Sequence, residues 1–312
     1  MTGDAENADT PDNPPPEGAR RFVIGAHAYE APRPESALYI VSTPIGNLGD
    51  ITVRALEVLA AADLVACEDT RVTATLMQRF ALRAQLLPYH EHNAERQRPR
   101  LLAALDEGKV VALVSDAGTP LVSDPGYRLV AEVIEAGHRI IPVPGASALL
   151  AALVGAGLPS DTVLFAGFLP QKGGARARRL AELADVPATL VFYESPHRLA
   201  ASLETMADVL GAERRAAVAR ELTKRFETFE RGSLSHLRDF YAGETVKGEI
   251  VVVVAPPAPR AEADSEDADA LLAEALTTMK PAAAAKQVSR QTGLDRKVLY
   301  AKALAMKGGG DT

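Results

Sequence analysis

This chain has one cysteine, no long apolar run and no excess of positive charge. A single cysteine, Cys67, in 312 residues excludes an internal disulfide and any multi-cysteine zinc site, which agrees with a reducing compartment. Cys67 stands in the apolar run 64–67, where a thiol behaves as a small core residue rather than a nucleophile. The longest apolar stretches, such as 146–154, are too short and too rich in glycine to cross a bilayer, and no charged segment followed by an apolar one begins at Met1. A cytoplasmic location with no membrane partner is therefore expected. The formal charge of −7 argues against non-specific nucleic-acid binding by the chain as a whole. That average hides patches: acids gather at 262–269, whereas Arg176, Arg178 and Arg179, the pair Arg214 and Arg215, and the group Arg220, Lys224 and Arg225 form basic clusters. Neither a G-x-G-x-x-G fingerprint nor a Walker A loop occurs.

What is present is a hydrophobic content of 47% over a length sufficient for two domains. Residues 1–35 are rich in Pro, Asp, Glu and Gly with little periodic apolar content, and read as a disordered tail. From 36 to about 158 short apolar runs alternate with helical patterns: strands at 37–41, 64–67, 109–114 and 139–143, helices near 51–62, 73–80, 96–107 and 129–136. Such alternation predicts an α/β domain with a largely parallel sheet. Residues 159–256 predict a second α/β unit, with strands at 162–170, 188–193, 215–219 and 249–255. Pro256, Pro257 and Pro259 and the acids after them suggest a linker over 257–269. A small helical appendage over 270–306 follows, in which 282–300 has the helix, glycine turn and helix of a helix-turn-helix, a spacing that any helical hairpin shares.

The loops between these elements carry the chemistry. Residues 115–126, SDAGTPLVSDPG, hold two Asp, two Pro and two Gly in twelve positions directly after a buried-strand pattern. In an open α/β sheet, ligands bind outside the carboxyl ends of the strands, where such a loop exposes backbone groups on a rigid path. Similar loops stand at 42–50, 68–71, 144–148 and 165–170.

Taken in order, TPIGNLGD, EDTR, YHEHN, SDAGTPLVSDPG, PGASA and ESPHR resemble the tetrapyrrole methylase superfamily. Within it they are most similar to the branch that 2'-O-methylates a cytidine in the decoding region of small-subunit (16S) ribosomal RNA. The resemblance spans about residues 37–306. It implies two α/β domains with S-adenosylmethionine in the cleft between them, a homodimer, and the small ribosomal subunit or its RNA as partner. It also implies a donor site around Pro44, Gly46, Asp116, Ala117, Gly118, Ser147, Phe168 and Gly248. The first loop, with Thr43, Pro44, Ile45, Gly46 and Asn47, is less glycine-dense than in members that act on corrins and porphyrins, which favours RNA. A tetrapyrrole-precursor methyltransferase and a non-catalytic RNA-binding module remain the alternatives.

Methyl transfer from a sulfonium to a ribose 2'-hydroxyl needs an aligned oxygen whose proton is removed or shared, so a general base or an electrostatic stabiliser is expected. Asp69 and Lys224 are the first candidates, with Glu68, Glu194 and Glu221 behind them; Asp69 could equally be a helix cap, and Glu194 a structural partner of Arg198. Arg71, Arg198, His90 and His92 are candidate RNA contacts, with Tyr89 available for stacking on a base. A metal on the two histidines is rejected, since no cysteine accompanies them and methyl transfer needs none.

Overall fold

The computed structural model describes residues 20–122, 126–258, 265–292 and 294–308. A hairpin, β1 (Arg21–Ile24) and β2 (His27–Glu30), comes first. It corrects the expectation of a disordered tail over 1–35, of which residues 1–19 lie outside the described residues. The physical reason is local. Phe22 is buried and stacks on Tyr29 at 5.3 Å, and the Val23 amide donates to the Phe80 carbonyl at 2.9 Å.

The first α/β unit has β3 (Leu38–Val41), α1 (Val53–Ala61), β4 (Leu64–Cys67), α2 (Thr70–Arg79), β5 (Gln85–Pro88), α3 (Ala94–Asp106), β6 (Val111–Val114), α4 (Tyr127–Glu135), β7 (Ile140–Val143) and α5 (Ala148–Ala156). Its sheet is wholly parallel in the order β5-β4-β6-β3-β7. Strands β3, β4 and β6 are buried on both faces, which explains why each is a short continuous apolar run rather than an alternating one. Two apolar layers flank them. One contains Tyr39, Leu56, Val65 and Ala112; the other contains Ile40, Leu64, Leu101 and Leu129.

The second unit has β8 (Val163–Phe168), α6 (Gly173–Leu183), β9 (Thr189–Glu194), α7 (Leu199–Leu210), β10 (Arg215–Arg220), β11 (Thr228–Ser233), α8 (Leu234–Tyr241) and β12 (Ile250–Val254). Its sheet runs β11-β10-β12-β9-β8, parallel only between β8 and β9. One face packs on α7 and α8 through Leu203, Met206, Leu234 and Leu237. The other receives α5, whose Ala152, Leu153 and Ala156 lie against Val191, Ala217 and Val251. Helix α5 thus belongs by sequence to the first unit and by packing to the sheet of the second.

Three helices close the chain: α9 (Ser265–Thr278), α10 (Pro281–Thr292) and α11 (Arg296–Gly308). They share a core of Leu272, Ala284, Val288 and Leu299. Helix α9 begins inside the stretch 257–269 expected as a linker, because Ala268 and Leu272 already bury an apolar stripe; residues 259–264 of that stretch lie outside the described residues.

Candidate active site

Every loop at the carboxyl end of β3, β4, β6 and β7 opens on the same side of the parallel sheet, since parallel strands share one direction. The loops after β3 and β6 are tied together. The Thr43 and Gly118 amides exchange hydrogen bonds with each other's carbonyls at 2.9 and 3.1 Å, and the Thr43 hydroxyl donates to the Ser115 carbonyl at 3.1 Å. Gly118 sits at φ +81, and a Cβ there would stand 3.2 Å from Ile45. Glycine is needed for both reasons. Residues 123–125 of the 115–126 loop lie outside the described residues.

Two cavities adjoin this edge. The larger, about 450 Å³, is walled by Asp116, Ala117 and Gly118 after β6, Ser147 at the start of α5, Phe168 at the end of β8, Glu194 at the end of β9, and Gly248 and Glu249 before β12. Glu68 completes a lining with four carboxylates and, among the described residues, no lysine, arginine or histidine. Ser147 occupies the N-cap of α5 but makes no capping bond, which leaves its hydroxyl open to the cavity. Phe168 is 59% exposed at the cavity wall and meets Tyr193 edge-on at 5.6 Å. Glu194 is fully buried: Oε1 accepts from Arg198 Nε at 2.8 Å and from the Ser195 amide at 2.7 Å, and Oε2 accepts from the Ser202 hydroxyl at 2.6 Å.

The smaller cavity, about 390 Å³, is lined by Thr43, Pro44, Gly46, Val72, Thr75, Ser115 and Lys224, and shares Ile45, Asp116, Ala117 and Glu249 with the larger one. Lys224 reaches it by lying across Gly46, where a Cβ would come within 2.5 Å of the lysine Cγ. Its ammonium donates to Glu221 at 2.9 Å and to Glu249 at 3.0 Å. Partial burial pushes the Lys224 pKa down, but these two carboxylates outweigh it and the net shift is upward. Glu221 in turn lies under Gly248, at φ +93, and accepts from the Glu249 amide at 3.0 Å; its own pKa is lowered by the Lys224 and Glu249 bonds. Glu221 and Thr223 both adopt positive φ, +52 and +65, so the turn after β10 holds two left-handed non-glycine residues in four positions. Strain of this kind gathers where a site over-determines its backbone. Nothing in the residue types of 220–225 announces it.

The other site residues expected from sequence are placed as follows. Asp69 is the N-cap of α2, accepting from the Arg71 amide at 2.9 Å and the Arg71 guanidinium at 2.6 Å. Those bonds lower its pKa to about 2. A carboxylate so stabilised and a lysine so paired are both poor proton acceptors, which weighs against either as general base and leaves electrostatic stabilisation open to Lys224. Arg71 is 89% exposed apart from that pair. Arg198 points inward to Glu194 and to the Leu169 carbonyl at 3.2 Å, a posture that serves the loop after β8 rather than a phosphate. His90 contacts Asn93 at 3.0 Å and His92 is exposed beside it, the two rings 6.0 Å apart; both stand outside the linings of the two cavities. Tyr89 is 2% exposed in the core, so it is closed to base stacking. Pro44 and Gly46 line the smaller cavity; the other six donor candidates line the larger.

Comparison with known proteins places this architecture. The family model described as Tetrapyrrole (Corrin/Porphyrin) Methylases matches residues 37–238, and that described as the RsmI C-terminal HTH domain matches residues 262–307. Among solved structures, a cobalamin-biosynthetic cobalt precorrin-4 methyltransferase aligns over 70% of this chain and 94% of its own, with TM-score 0.55 at 21% identity. Diphthine synthase aligns over 70% and 89%, with TM-score 0.53 at 19%. These similarities show the fold, and with the family match they define the class: the chain is a methyltransferase of the tetrapyrrole methylase family. Sequence relatives narrow it. Proteins named ribosomal RNA small subunit methyltransferase I are 54% identical in Mesorhizobium japonicum, over 91% of this chain and 97% of the relative, and 48% identical in Pseudomonas aeruginosa, over 87% and 98%. The Escherichia coli O157:H7 protein of that name is 46% identical over 88% and 96%. The chain belongs to the ribosomal RNA small subunit methyltransferase I family.

Proposed function

We propose that this chain transfers the methyl group of S-adenosylmethionine to the 2'-oxygen of a cytidine in the decoding region of 16S rRNA, acting in the cytoplasm on the small ribosomal subunit or its RNA. The observation that carries the reading is the pair of adjoining cavities with a shared wall of Ile45, Asp116, Ala117 and Glu249. Group transfer needs two reactants held side by side across such a wall.

The larger cavity fits the donor. Its volume of about 450 Å³ lies within the usual range for ligands of this size. Glu68 and Asp116, the lining carboxylates with no cation paired to them among the described residues, suit a cationic sulfonium, the loop 116–118 offers backbone groups at close approach, Ser147 offers an open hydroxyl and Phe168 an aromatic face. When bound, S-adenosylmethionine supplies a methyl group activated by the positive sulfur. The smaller cavity is then the acceptor side, where Thr43, Thr75 and Ser115 provide polar contacts and Lys224 a positive charge.

Asp116 stands in both walls. Its Oδ1 accepts the Asp69 amide at 3.0 Å, and Oδ2 has no hydrogen-bond partner among the described residues. Oδ2 of Asp116 takes the proton leaving the 2'-hydroxyl, and the Lys224 ammonium stabilises the negative charge that develops on that oxygen. Lys224→Met is expected to lower turnover at least tenfold with donor affinity unchanged, and Lys224→Arg to recover part of the loss, measured by steady-state kinetics and by donor titration in a calorimeter. Full turnover in Lys224→Met would remove the lysine from this role.

We take 36–158 and 159–256 as the two domains and 270–306 as the appendage. A homodimer is the expected assembly; uncharged α5, with Leu150 and Val154 exposed, is the surface that supports it. The experiment that tests the function is transfer of a labelled methyl group to small subunits lacking the modification, followed by mapping of the labelled nucleotide. Label on a decoding-region cytidine ribose is the expected result. Donor binding without transfer to subunits or rRNA would overturn it and send the search to small-molecule acceptors.

A further inference from the structure

The three terminal helices divide their charge unevenly. Helix α9 carries acids and no basic residue, whereas 281–308 carries Lys286, Arg290, Arg296, Lys297, Lys302 and Lys307 against Asp295 alone. That single acid is occupied as the cap of α11, accepting from the Lys297 amide at 2.7 Å and the Val298 amide at 3.2 Å. Lys302 turns back to Asp269 on α9 at 2.8 Å, which pins α11 to the acidic helix through its inner side. At 3.6 residues per turn, Arg296, Lys307, Tyr300, Leu304 and Lys297 fall in that order within an arc of about 100°. All five are exposed, and the three cations among them meet no carboxylate among the described residues. The buried side of the helix, Leu299 and Ala303, faces the shared core.

We propose that this face of α11 is an RNA-docking surface that grips the phosphate backbone of the substrate's helical RNA, a conclusion that rests on the rRNA substrate proposed above. Three unpaired cations around an exposed tyrosine, in a chain whose net charge is −7, form a local positive field that a polyanion satisfies and a neutral or basic protein surface does not. The mode of docking also follows. The major groove of A-form RNA is deep and too narrow to admit a helix, so α11 lies across phosphates and the shallow groove. It therefore reads shape and charge rather than sequence, and its contribution is affinity rather than choice of nucleotide.

The test is the full-length triple variant R296Q/K297Q/K307Q, which keeps helix propensity and leaves both cavities untouched. Methyl transfer to small subunits and binding to naked 16S rRNA are measured over a salt series, with circular dichroism and donor titration as controls for folding. The expected result is a KM for subunits raised about tenfold or more with kcat unchanged, and a slope of log affinity against log salt shallower by about 2 to 3 for naked rRNA. Unchanged KM and slope in a folded variant would overturn the surface while wild-type transfer leaves the function standing. A loss seen with subunits but not with naked rRNA would overturn it too, in favour of a protein partner. Absence of transfer by the wild type would instead strike the function itself.

Discussion

Replacing Asp116 by asparagine lowers methyl transfer by about 10²–10⁴-fold while the protein stays folded, the range expected when a positioned general base is removed. Asparagine keeps the size of the side chain and an oxygen able to accept the Asp69 amide, so the link between the loops after β4 and β6 survives. What it loses is the capacity to hold a proton on Oδ2 at the wall shared by the two cavities. The loss should appear in kcat more than in the affinity for either reactant, because the interaction is made in the transition state. Single-turnover transfer with saturating donor and subunits measures it directly. A rate within tenfold of the wild type would exclude Asp116 as the base and leave Glu68, which lines the larger cavity with no partner among the described residues, as the next carboxylate to substitute.

Arg198→Ala destabilises the protein by about 3–5 kcal/mol, the usual cost of removing one partner of a buried ion pair and stranding the other. Glu194 is 0% exposed in its side chain and Arg198 22%, so water reaches the pair from the arginine side alone. With the guanidinium gone, Oε1 retains the Ser195 amide and Oε2 the Ser202 hydroxyl, two neutral donors for a full charge. The double variant Arg198→Ala, Glu194→Gln costs less than the sum of its parts, since the stranded charge is removed with the arginine. Denaturant unfolding of the wild type, both single variants and the double variant yields this coupling. A loss below about 1 kcal/mol for Arg198→Ala would show that solvent already screens the pair. The same substitution frees the Leu169 carbonyl beside Phe168, so donor affinity should weaken in parallel with stability.

Much of the first unit can be read from sequence because its strands are buried on both faces and announce themselves as short apolar runs, as at Leu64–Cys67 and Val111–Val114. The loops after them are legible for a related reason: glycine, proline, serine and aspartate mark where the chain leaves the sheet. Strand β11 and helix α8 escape such a reading. Thr228–Ser233 is an edge strand, half-exposed, and its TFERGS sequence carries no alternation to detect. The hairpin at 21–30 is lost for the opposite reason, its buried Phe22 being averaged into the acidic, proline-rich residues before it. At the site, Asp69 is legible as an acidic residue opening a helix, and a cap is what it is. The ion pairs of Lys224 are not legible, because they depend on Glu249, 25 positions away, and on a left-handed Glu221 that sequence rules assign to glycine.

The interlock of Gly46 with Lys224 and of Gly248 with Glu221 has a consequence for descent as well as for chemistry. Each glycine makes room for one long side chain from the turn after β10, and each long side chain closes the space that its glycine leaves. Neither member of a pair can change first without a clash or a hole. The order of change is therefore constrained: either long side chain can shorten while its glycine stays, leaving a hole, but neither glycine can gain a side chain until its partner has shortened or moved.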